Sequence, residues 1–387
     1  MGKSVLMLGW ELPPHNSGGL GVASFGLGRA LVKHGVNLIF LLPQKIGLVP
    51  TPFPVLFAND YELTTNSYSP YLTQNQWGFS DLLTRVFTYA ARAKAISPKL
   101  KFSIIHAHDW LCIPAGLAIK EASGKPLIIH VHATEFDRSG GSNVNSTVYQ
   151  IERRGFEAAD LVITVSGLTR DILIHKYGIP PQKVRVVHNG IDASDYPASS
   201  SPVTFLQALK AQGYKIVLFM GRITLQKGPD YFLLAAKKVL EHYPSVLFVI
   251  AGSGDMEPQI INQAVTLGIS DRVLFPGFMR GEQQNQLYKS ADLFVLPSVS
   301  EPFGLVPLES IVNGTPVLIS KQSGVSEVLS HALKVDFWDT DEMANQILSV
   351  LNYPSLPITL QRESQAEVQK LSWSAAADKV TDIYDHL

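Results

Sequence analysis

The sequence has little of what a disulfide framework, a metal cluster or a membrane span would require. Its 387 residues include a single cysteine, Cys112, which excludes an internal disulfide and a cysteine-based metal cluster. Cys112 begins an apolar segment, so we expect a packed thiol. The apolar residues before Gly9 are too few for a signal peptide or a transmembrane helix. We therefore expect a cytoplasmic protein.

The chain also lacks an excess of positive or of negative charge. Lys and Arg total 32, Asp and Glu total 33, and this balance does not support a surface for nucleic acid. Hydrophobic residues make up 46% of the chain and charged residues 17%, which favours well-buried parallel sheets. A chain of 387 residues is long for one core, so we expect two domains of roughly 190 residues each.

Short apolar runs alternate with helical segments, which predicts α/β architecture: two parallel, doubly wound sheets built from right-handed βαβ units. The strands predicted in the first half are Val5–Leu8, Asn37–Leu42, Ser103–His106, Leu127–Val131, Leu161–Val165 and Val184–Val187. Those predicted in the second half are Ile216–Met220, Val246–Ala251, Val273–Phe275, Leu293–Leu296, Val317–Ile319 and Lys334–Asp336. The helices predicted in the first half include Gly21–Lys33, Asp81–Ile96, Pro114–Glu121 and Val144–Ala158.

A region rich in Ser, Pro and Ala interrupts this alternation and divides the chain. We assign residues 1–192 to a first Rossmann-like domain, 193–214 to a linker region and 215–372 to a second Rossmann-like domain. Residues 373–387 form an amphipathic helix that closes the second domain or crosses back onto the first. The two domains are expected to face each other across a cleft, with ligands at the carboxyl ends of the strands.

Two glutamates flank a strand-to-helix step in the second domain. Glu301 follows a predicted strand, and Glu309 lies in a predicted helix, 306–313. Backbone N–H groups at a helix N-terminus bind phosphate, and carboxylates accept hydrogen bonds from hydroxyl groups. The step therefore suits a ligand with both a sugar and a diphosphate. The alternative interpretation is an ordinary turn with two solvated acids.

Glycine-rich loops follow other predicted strands. The glycines of residues 18–21 open the first helix, where a bare backbone can approach a phosphate. This motif is not G-x-G-x-x-G, and no acidic residue ends the second strand, so a nicotinamide dinucleotide is disfavoured. In the second domain, Arg222 and Lys227 lie between two glycines, where two cations can neutralise a diphosphate leaving group. Gly252 and Phe278 end the next two strands, beside a nucleotide base.

Four histidines end two predicted strands of the first domain. His106 and His108 end one strand, His130 and His132 end the other, and each pair shares a face because its members are two residues apart. We expect His108 and His132 to reach the cleft and the other two to be hydrogen-bonded in the core. A metal site is disfavoured, and no Asp-x-Asp motif suited to a divalent ion on a nucleotide sugar is evident.

In combination these motifs resemble those of retaining glycosyltransferases of family 4, which have the GT-B fold, and most of all the glycogen and starch synthases. The resemblance covers nearly the whole chain and rests on the order of its motifs. These are Gly18-Gly19-Leu20-Gly21, His108-Asp109-Trp110, Val131-His132-Ala133, His188-Asn189-Gly190-Ile191-Asp192, Gly221-Arg222 with Lys227-Gly228, and Glu301-Pro302-Phe303-Gly304-Leu305 with Glu309.

The resemblance implies a role for each matched residue. The implied catalytic set is His132 at the reacting face of the sugar, Glu301 beside the sugar hydroxyls, and Arg222 and Lys227 on the diphosphate. The implied donor-binding set is Gly18, Gly19, Gly252, Phe278, Phe303, Gly304, Leu305 and Glu309, the last on the ribose hydroxyls. Asp109 is the implied acceptor-side contact, which makes the first domain the acceptor side and the second the donor side.

The implied enzyme is a hexosyltransferase that moves glucose from ADP- or UDP-glucose onto a glucan, a sugar or a sugar phosphate. Its acceptor attacks on the face that the diphosphate leaves, and the phosphate takes the acceptor proton. The resemblance implies neither a metal nor another cofactor, and it leaves donor, acceptor and oligomeric state open. Bacterial glycogen synthases commonly have lysine before the glycine pair, where this chain has Asn16-Ser17, and this departure argues against elongation of long glucans.

Two further readings stay open. The first is a mannosyl or other hexosyl transferase that acts on a lipid-linked acceptor at a membrane surface. Such enzymes often carry a basic amphipathic helix, and residues 82–94 are only mildly basic, so we do not expect membrane association. The second is a nucleotide-sugar epimerase, which the paired glutamates disfavour.

Overall fold

The computed structural model describes residues 3–15, 18–58, 79–196 and 201–387, with the backbone alone for residues 79 and 80. Asn16-Ser17, on which the departure from glycogen synthases rests, lies outside these residues. The chain divides into two compact units. The first comprises Met1–Gly190 and Leu371–Leu387, and the second comprises Ile191–Lys370.

The first unit is built on a parallel sheet of seven described strands. These are β1 (Ser4–Leu8), β2 (Asn37–Leu42), β3 (Val55–Phe57), β4 (Ile104–His108), β5 (Leu127–Val131), β6 (Leu161–Thr164) and β7 (Val184–Val186), in the order β3-β2-β1-β4-β5-β6-β7. The helices between them are α1 (Gly19–Lys33), α2 (Phe79–Ile96), α3 (Asp109–Ser123), α4 (Glu135–Arg138), α5 (Ser146–Ala158) and α6 (Gly167–Tyr177).

The second unit repeats this architecture with six described parallel strands. These are β8 (Lys215–Met220), β9 (Val246–Ala251), β10 (Val273–Gly277), β11 (Leu293–Leu296), β12 (Val317–Ser320) and β13 (Leu333–Val335), in the order β10-β9-β8-β11-β12-β13. Its helices are α7 (Thr204–Ala211), α8 (Pro229–His242), α9 (Glu257–Thr266), α10 (Glu282–Ser290), α11 (Leu305–Val312), α12 (Thr340–Asn352) and α13 (Ser355–Val368).

The apolar runs of the sequence are the buried strands of both sheets. Helices cover both faces of each sheet, so the residues of β4, β5, β11 and β12 are buried on both sides. The predicted strands are present to within one or two residues. The edge strand β3 was missed because its three half-buried residues form too short a run to stand out. Helix α3 begins at Asp109 rather than at Pro114, which lies inside it.

The last helix, α14 (Trp373–Asp385), belongs to the first unit and not to the second, which precedes it in the chain. It packs along α1, and Lys3 Nζ donates to the carbonyl of Tyr384 at 2.8 Å. The Tyr384 hydroxyl lies 2.5 Å from Nδ1 of His106 on β4. Of the two placements expected for this helix, the structure has the one that crosses back.

Gly190 allows the chain to return to the first unit. A Cβ atom at this position would lie 2.3 Å from backbone atoms of Ser372 and Trp373, closer than real Cβ contacts permit. Residue 190 must therefore be glycine for α14 to begin where it does. Residues 193–214, which we assigned to a linker, contain α7 and lie in the second unit. Among the described residues, no helix combines the length and apolar character that a bilayer crossing demands.

We expect Gly190→Ala to lower the free energy of unfolding by about 2–4 kcal/mol, because the obstacle is backbone and not a flexible side chain. Gly47→Ala is the matched control, since its Cβ would meet only the His15 ring at an ordinary 3.6 Å. Urea denaturation of both variants tests this. Equal stability of the two variants would contradict the steric role of Gly190.

Candidate functional site

The sheet of the second unit reverses its strand order between β8 and β11. Strand β8 pairs with β9 on one side and with β11 on the other. Doubly wound sheets bind ligands in the crevice at such a reversal, beyond the carboxyl ends of the strands. The loops that follow β8 and β11, residues 221–228 and 297–304, contain the residues predicted to hold the diphosphate and the sugar.

The two loops meet in an ion pair between Lys227 and Glu301. Lys227 Nζ contacts Oε2 of Glu301, and the Ser298 hydroxyl donates to the same oxygen at 3.3 Å. The side chains of Lys227 and Glu301 are only 12% and 7% exposed. Either charge alone would be costly to bury, so each makes the other tolerable in this crevice. The structure thus pairs two residues that the sequence assigned to different parts of the donor.

Gln226 also joins the two loops, and sequence reasoning missed it. Its Oε1 accepts a hydrogen bond from Arg222 Nη2 at 2.8 Å, and its backbone carbonyl accepts one from the Val299 N–H at 2.9 Å. Gln226 is buried although it is polar. Its position between the two predicted cations was the one available signal.

The loop of Glu301 is fixed by the loop after β12. The Glu301 N–H donates to the Gln322 carbonyl at 2.9 Å, and its own carbonyl accepts from the Gly324 N–H at 2.8 Å. The carbonyl of Phe303, a buried residue, accepts from the Val325 N–H at 2.7 Å. These backbone bonds set the position of the Glu301 carboxylate independently of the lysine.

Gly304 ends this loop and begins α11. Its φ of +102° lies in the left-handed region, which glycine adopts at little cost. Leu305 is the first helical residue, and no side chain hydrogen bond caps this N-terminus. The first turn of α11 therefore offers backbone N–H groups and a positive partial charge to an anion.

Glu309, one turn into α11, is surrounded by neutral hydrogen-bond donors. Oε1 accepts from the Tyr196 hydroxyl at 3.1 Å, and Oε2 accepts from Gln284 Nε2 at 2.6 Å and from the Tyr288 hydroxyl at 3.0 Å. Burial raises the pKa of Glu309, and the three donors oppose that rise. Tyr196, Gln284 and Tyr288 carried no signal in the sequence, because they come from segments far from Glu309 along the chain.

The two remaining donor-side positions differ in what they contact. A Cβ at Gly252 would lie 1.8 Å from the carbonyl oxygen of Gly221, so glycine is required there by the protein itself. Phe278 is half exposed, and the Arg280 guanidinium lies 4.7 Å from the centroid of its ring. An exposed aromatic ring beyond the carboxyl end of β10 suits stacking with a planar group.

The glycine loop of the first unit begins α1. Gly18 is the N-cap with φ −168°, an extended conformation open to any residue, and a Cβ there would meet nothing within 4 Å. Neither conformation nor packing requires glycine at position 18, and Gly19 begins the helix. The buried Glu11, which the sequence did not point to, accepts from the Gly21 N–H at 3.3 Å.

The four histidines form two hydrogen-bonded pairs that stack on each other. His106 Nε2 and His130 Nδ1 are 3.2 Å apart, and His108 Nδ1 and His132 Nε2 are 2.8 Å apart. Rings that share a strand lie 4.7 Å apart for His106 and His108 and 4.5 Å apart for His130 and His132. We call this arrangement the histidine stack. It confirms that each pair shares a face of its strand.

Burial in the histidine stack differs from our expectation in one respect. His106 and His130 are hydrogen-bonded in the core, as predicted, and His132 is partly exposed. His108 was expected to reach the cleft, but it is fully buried because the ring of His132 lies at its outer edge. Burial lowers the pKa of all four imidazoles, to about 3 for His132.

The geometry of the histidine stack suits hydrogen bonding better than a metal ion. Nitrogens of His106, His108 and His130 lie within 4.8 Å of one another. A zinc ion would need their lone pairs to converge on one point about 2 Å from each nitrogen. The three ring planes are within 11–22° of parallel, and one nitrogen pair is already hydrogen-bonded. Lone pairs in parallel planes do not converge.

Asp109 is the first residue of α3 and is buried. Its carboxylate faces the backbone of the loop that follows β5. Oδ1 accepts from the N–H groups of His132 at 2.6 Å and Ala133 at 3.2 Å. Its φ of +58° lies in a region that costs a non-glycine residue about 1–2 kcal/mol. Burial raises the pKa of Asp109 from 3.8 to about 7, against the opposing effect of Arg138 and the two N–H groups.

Arg138 holds the same loop from its other side. Its Nη1 donates to the Ala133 carbonyl at 3.0 Å, and its guanidinium also pairs with Glu135 and Glu152. Glu152 is buried and accepts a further hydrogen bond from the Tyr177 hydroxyl. The loop that carries His132 is therefore fixed by charged and polar groups on both sides.

Both halves of the chain match models of glycosyltransferase families. Residues 17–195 match the family described as Glycosyltransferase Family 4, and residues 204–367 match Glycosyl transferases group 1.

Relatives that match most of this chain are named as glycosyltransferases or as a glycogen synthase. The chain is 30% identical to an uncharacterized glycosyltransferase of Methanocaldococcus jannaschii, over 98% of this chain and 97% of that protein. It is 27% identical to the glycogen synthase of Mycobacterium tuberculosis, over 98% and 94%. It is 31% identical to the D-inositol 3-phosphate glycosyltransferase of Mycolicibacterium smegmatis, over 79% and 73%.

Solved structures share the fold of this chain. Sucrose-phosphate synthase from Thermosynechococcus elongatus superposes with a TM-score of 0.80 at 21% identity, over 99% of this chain and 98% of that one. The Anabaena protein HepE in complex with UDP-glucose gives a TM-score of 0.76 at 19% identity, over 99% and 100%. These similarities confirm the predicted GT-B fold.

We expect Asp109→Asn to change how stability depends on pH. A carboxyl group with a raised pKa in the folded state binds its proton more tightly there, so its contribution is greatest below 3.8 and is lost as the pH rises to about 7. The free energy of unfolding of the wild type should therefore fall relative to that of Asp109→Asn between about pH 4 and pH 8.

Urea denaturation at several pH values measures this difference. Asp171→Asn is the control, since Asp171 is a 62% exposed aspartate of the same unit. A constant difference between the wild type and Asp109→Asn across this range would show that Asp109 has no raised pKa.

Proposed function

The chain belongs to the glycosyltransferases, with a Family 4 match in its first half and a group 1 match in its second, and from this premise we propose its reaction. It transfers a hexose from a nucleoside diphosphate sugar to a carbohydrate acceptor, with retention of configuration at the anomeric carbon. The proposed donor is ADP-glucose or UDP-glucose. The proposed acceptor is a glucan, a sugar or a sugar phosphate.

The observation that carries this proposal is the arrangement of charge at the strand reversal of the second unit. Lys227 and Arg222 lie in one loop, Glu301 lies in the neighbouring loop, and the uncapped N-terminus of α11 follows. Cations and helix N–H groups bind phosphate, and a carboxylate accepts from sugar hydroxyls. A nucleoside diphosphate sugar carries both kinds of group, one bond apart.

Donor binding would change the partner of Lys227. In the free enzyme its ammonium neutralises Glu301, and both side chains are nearly buried. A diphosphate brings more negative charge than the carboxylate, so we propose that Lys227 turns to the phosphate and leaves Glu301 to accept from the sugar. Glu309 would accept from the ribose hydroxyls, with Gln284 and Tyr288 holding its Oε2 in place.

The transfer then needs no protein base. The acceptor oxygen forms a bond to the anomeric carbon on the face from which the diphosphate leaves. The bond between that carbon and the diphosphate oxygen breaks, and the phosphate takes the acceptor's proton. Lys227 and Arg222 stabilise the charge that develops on the leaving diphosphate, which is the work of a divalent metal in other folds. We propose that the reaction is independent of metal.

A cyclitol phosphate acceptor is a second candidate. It is favoured by a relative named D-inositol 3-phosphate glycosyltransferase, which is 31% identical to this chain over 79% of its length. The same donor chemistry serves both candidates, so only an acceptor test separates them.

We expect nucleotide release from ADP-glucose or UDP-glucose, with GDP-glucose screened beside them, when an acceptor is present, and the same rate after addition of EDTA. The acceptors to compare are a maltooligosaccharide, glucose 6-phosphate and inositol 3-phosphate. GDP-mannose is added as a donor to test the alternative of a hexosyl transferase with a lipid-linked acceptor.

Turnover abolished by EDTA would contradict the metal-free mechanism. Conversion of UDP-glucose to another UDP-hexose without nucleotide release would favour an epimerase, and release of no nucleotide from any donor would contradict the proposed activity.

Lys227→Ala should lower kcat/KM by on the order of 10² to 10⁴, since it removes a charge that stabilises the leaving diphosphate. Lys237→Ala is the matched control, because Lys237 is an exposed lysine of the same unit, paired with Glu241 within α8. Steady-state rates with a saturating acceptor measure the effect. A Lys227→Ala enzyme that folds and works as fast as the control would remove Lys227 from the catalytic set.

A further inference from the structure

His108 precedes Asp109 at the end of β4, and the proposed reaction does not use it. His108 is fully buried, and its Nδ1 lies 2.8 Å from Nε2 of His132. Its other nitrogen, Nε2, is buried without a hydrogen-bond partner among the described residues. This combination restricts where the protons of both rings can be.

A neutral imidazole has one N–H donor and one bare nitrogen that accepts. If the proton of His108 were on Nε2, a buried N–H group would have no acceptor. If it is on Nδ1, the group left without a partner is an acceptor, and orphaned buried donors are the rarer of the two in proteins. The proton of His108 therefore belongs on Nδ1, where it is donated to Nε2 of His132.

The tautomer of His132 follows from that of His108. Its Nε2 accepts and must be bare, so the single proton of its neutral ring is on Nδ1. His132 is partly exposed, and its Nδ1 has no hydrogen-bond partner within the described part of the chain. The His132 ring thus presents its Nδ1–H group as a donor, and the lone pair of its Nε2 already accepts the hydrogen bond from His108.

The other half of the histidine stack obeys the same rule. His130 Nε2 is also buried without a partner among the described residues, so its proton belongs on Nδ1, which donates to His106 Nε2. His106 then carries its proton on Nδ1 and donates to the Tyr384 hydroxyl, 2.5 Å away. The two pairs are therefore ordered in opposite directions between the strands: His108 of β4 donates to His132, and His130 of β5 donates to His106.

The backbone of His132 is fixed by the residue next to His108. Oδ1 of Asp109 accepts from the N–H groups of His132 and Ala133. His108 and Asp109, at the end of β4, thus hold the ring and the main chain of His132, at the end of β5. Strands β4 and β5 are paired in register, with His108 opposite His130, which brings these groups together.

We propose that His108 is a positioning residue that holds His132 in the Nδ1–H tautomer, so that His132 donates a hydrogen bond to an oxygen of the transferred sugar and does not act as a general base. The use of His132 for sugar rests on the proposed function, but its tautomer does not. The pKa of about 3, lowered by burial, keeps the ring neutral at neutral pH, so the donor is a neutral N–H group.

Two-bond ¹H–¹⁵N NMR of the full chain, labelled with ¹⁵N-histidine, reads the tautomer directly. His132→Ala identifies the signals of His132 by their loss. We expect the wild type at neutral pH to show His132 with a protonated Nδ1 and a bare Nε2. An Nε2–H tautomer, or a mixture of both, would overturn the proposal. This measurement needs no activity, so it stands whatever the donor screen finds.

Two variants of His108 connect the tautomer to the reaction. The Asn carboxamide places an N–H donor near the position of Nδ1, so His108→Asn should retain the wild-type His132 spectrum and most of kcat. His108→Leu fills the space without a donor, and should mix the tautomers and lower kcat by about 10- to 100-fold, the usual effect of losing a group that orients a functional histidine. The KM of the donor should change little.

The two variants also separate this inference from simple packing. Equal losses of kcat in His108→Asn and His108→Leu, with the His132 spectrum unchanged in both, would mean that His108 acts by packing alone and would overturn the positioning role. An active wild type with His132 in the Nε2–H form would leave the proposed function intact and refute the inference.

Discussion

The parallel pairing of β8 with β11 places a lysine and a glutamate from distant parts of the chain in one ion pair, and the second unit's candidate site depends on that contact. Glu301 is held by backbone bonds to the loop after β12, so its carboxylate is fixed before any ligand arrives. Lys227 must come to it, because a nearly buried ammonium without a counter-charge would be costly. The crevice therefore keeps a cation in place for an anionic ligand without leaving it unneutralised.

The first unit holds its candidate side chains mainly with hydrogen bonds. Its carboxyl strand ends carry four imidazoles whose pKa values are lowered by burial, and a carboxyl group, Asp109, whose pKa is raised by burial. Hydrogen bonds fix these side chains, and the ion pairs of Arg138 with Glu135 and Glu152 fix the loop that carries His132. A site for an uncharged sugar is served by directional donors and acceptors, whereas a site for a diphosphate is served by cations. The contrast between the two units follows the chemistry proposed for each.

Much of this could be predicted from the sequence, and the limits have physical causes. Buried strands form apolar runs, so β5, β9 and β11 were located to the residue, whereas β3 was missed because its apolar run is only three residues long and half-buried. The site loops were found because they follow such runs. Their partners were not: the three donors around Glu309 come from segments far apart in the chain, and only the fold brings them together. The burial of His108 likewise depends on β5 lying beside β4.

Two glutamates on one loop-helix step could serve as an acid and a base, but their surroundings argue otherwise. Glu301 is paired with Lys227, and its backbone is fixed by the loop after β12, which suits an acceptor of sugar hydroxyls. Glu309 accepts from two tyrosines and a glutamine, which suits an acceptor of ribose hydroxyls better than a proton shuttle. The lone pair of His132 is occupied by His108, and Oδ1 of Asp109 is occupied by two backbone N–H groups, so neither side chain is well placed to act as a base for an acceptor sugar. The leaving diphosphate is then the group best placed to take the proton, which is why a retaining transfer accounts for these residues more simply than acid–base catalysis by the protein.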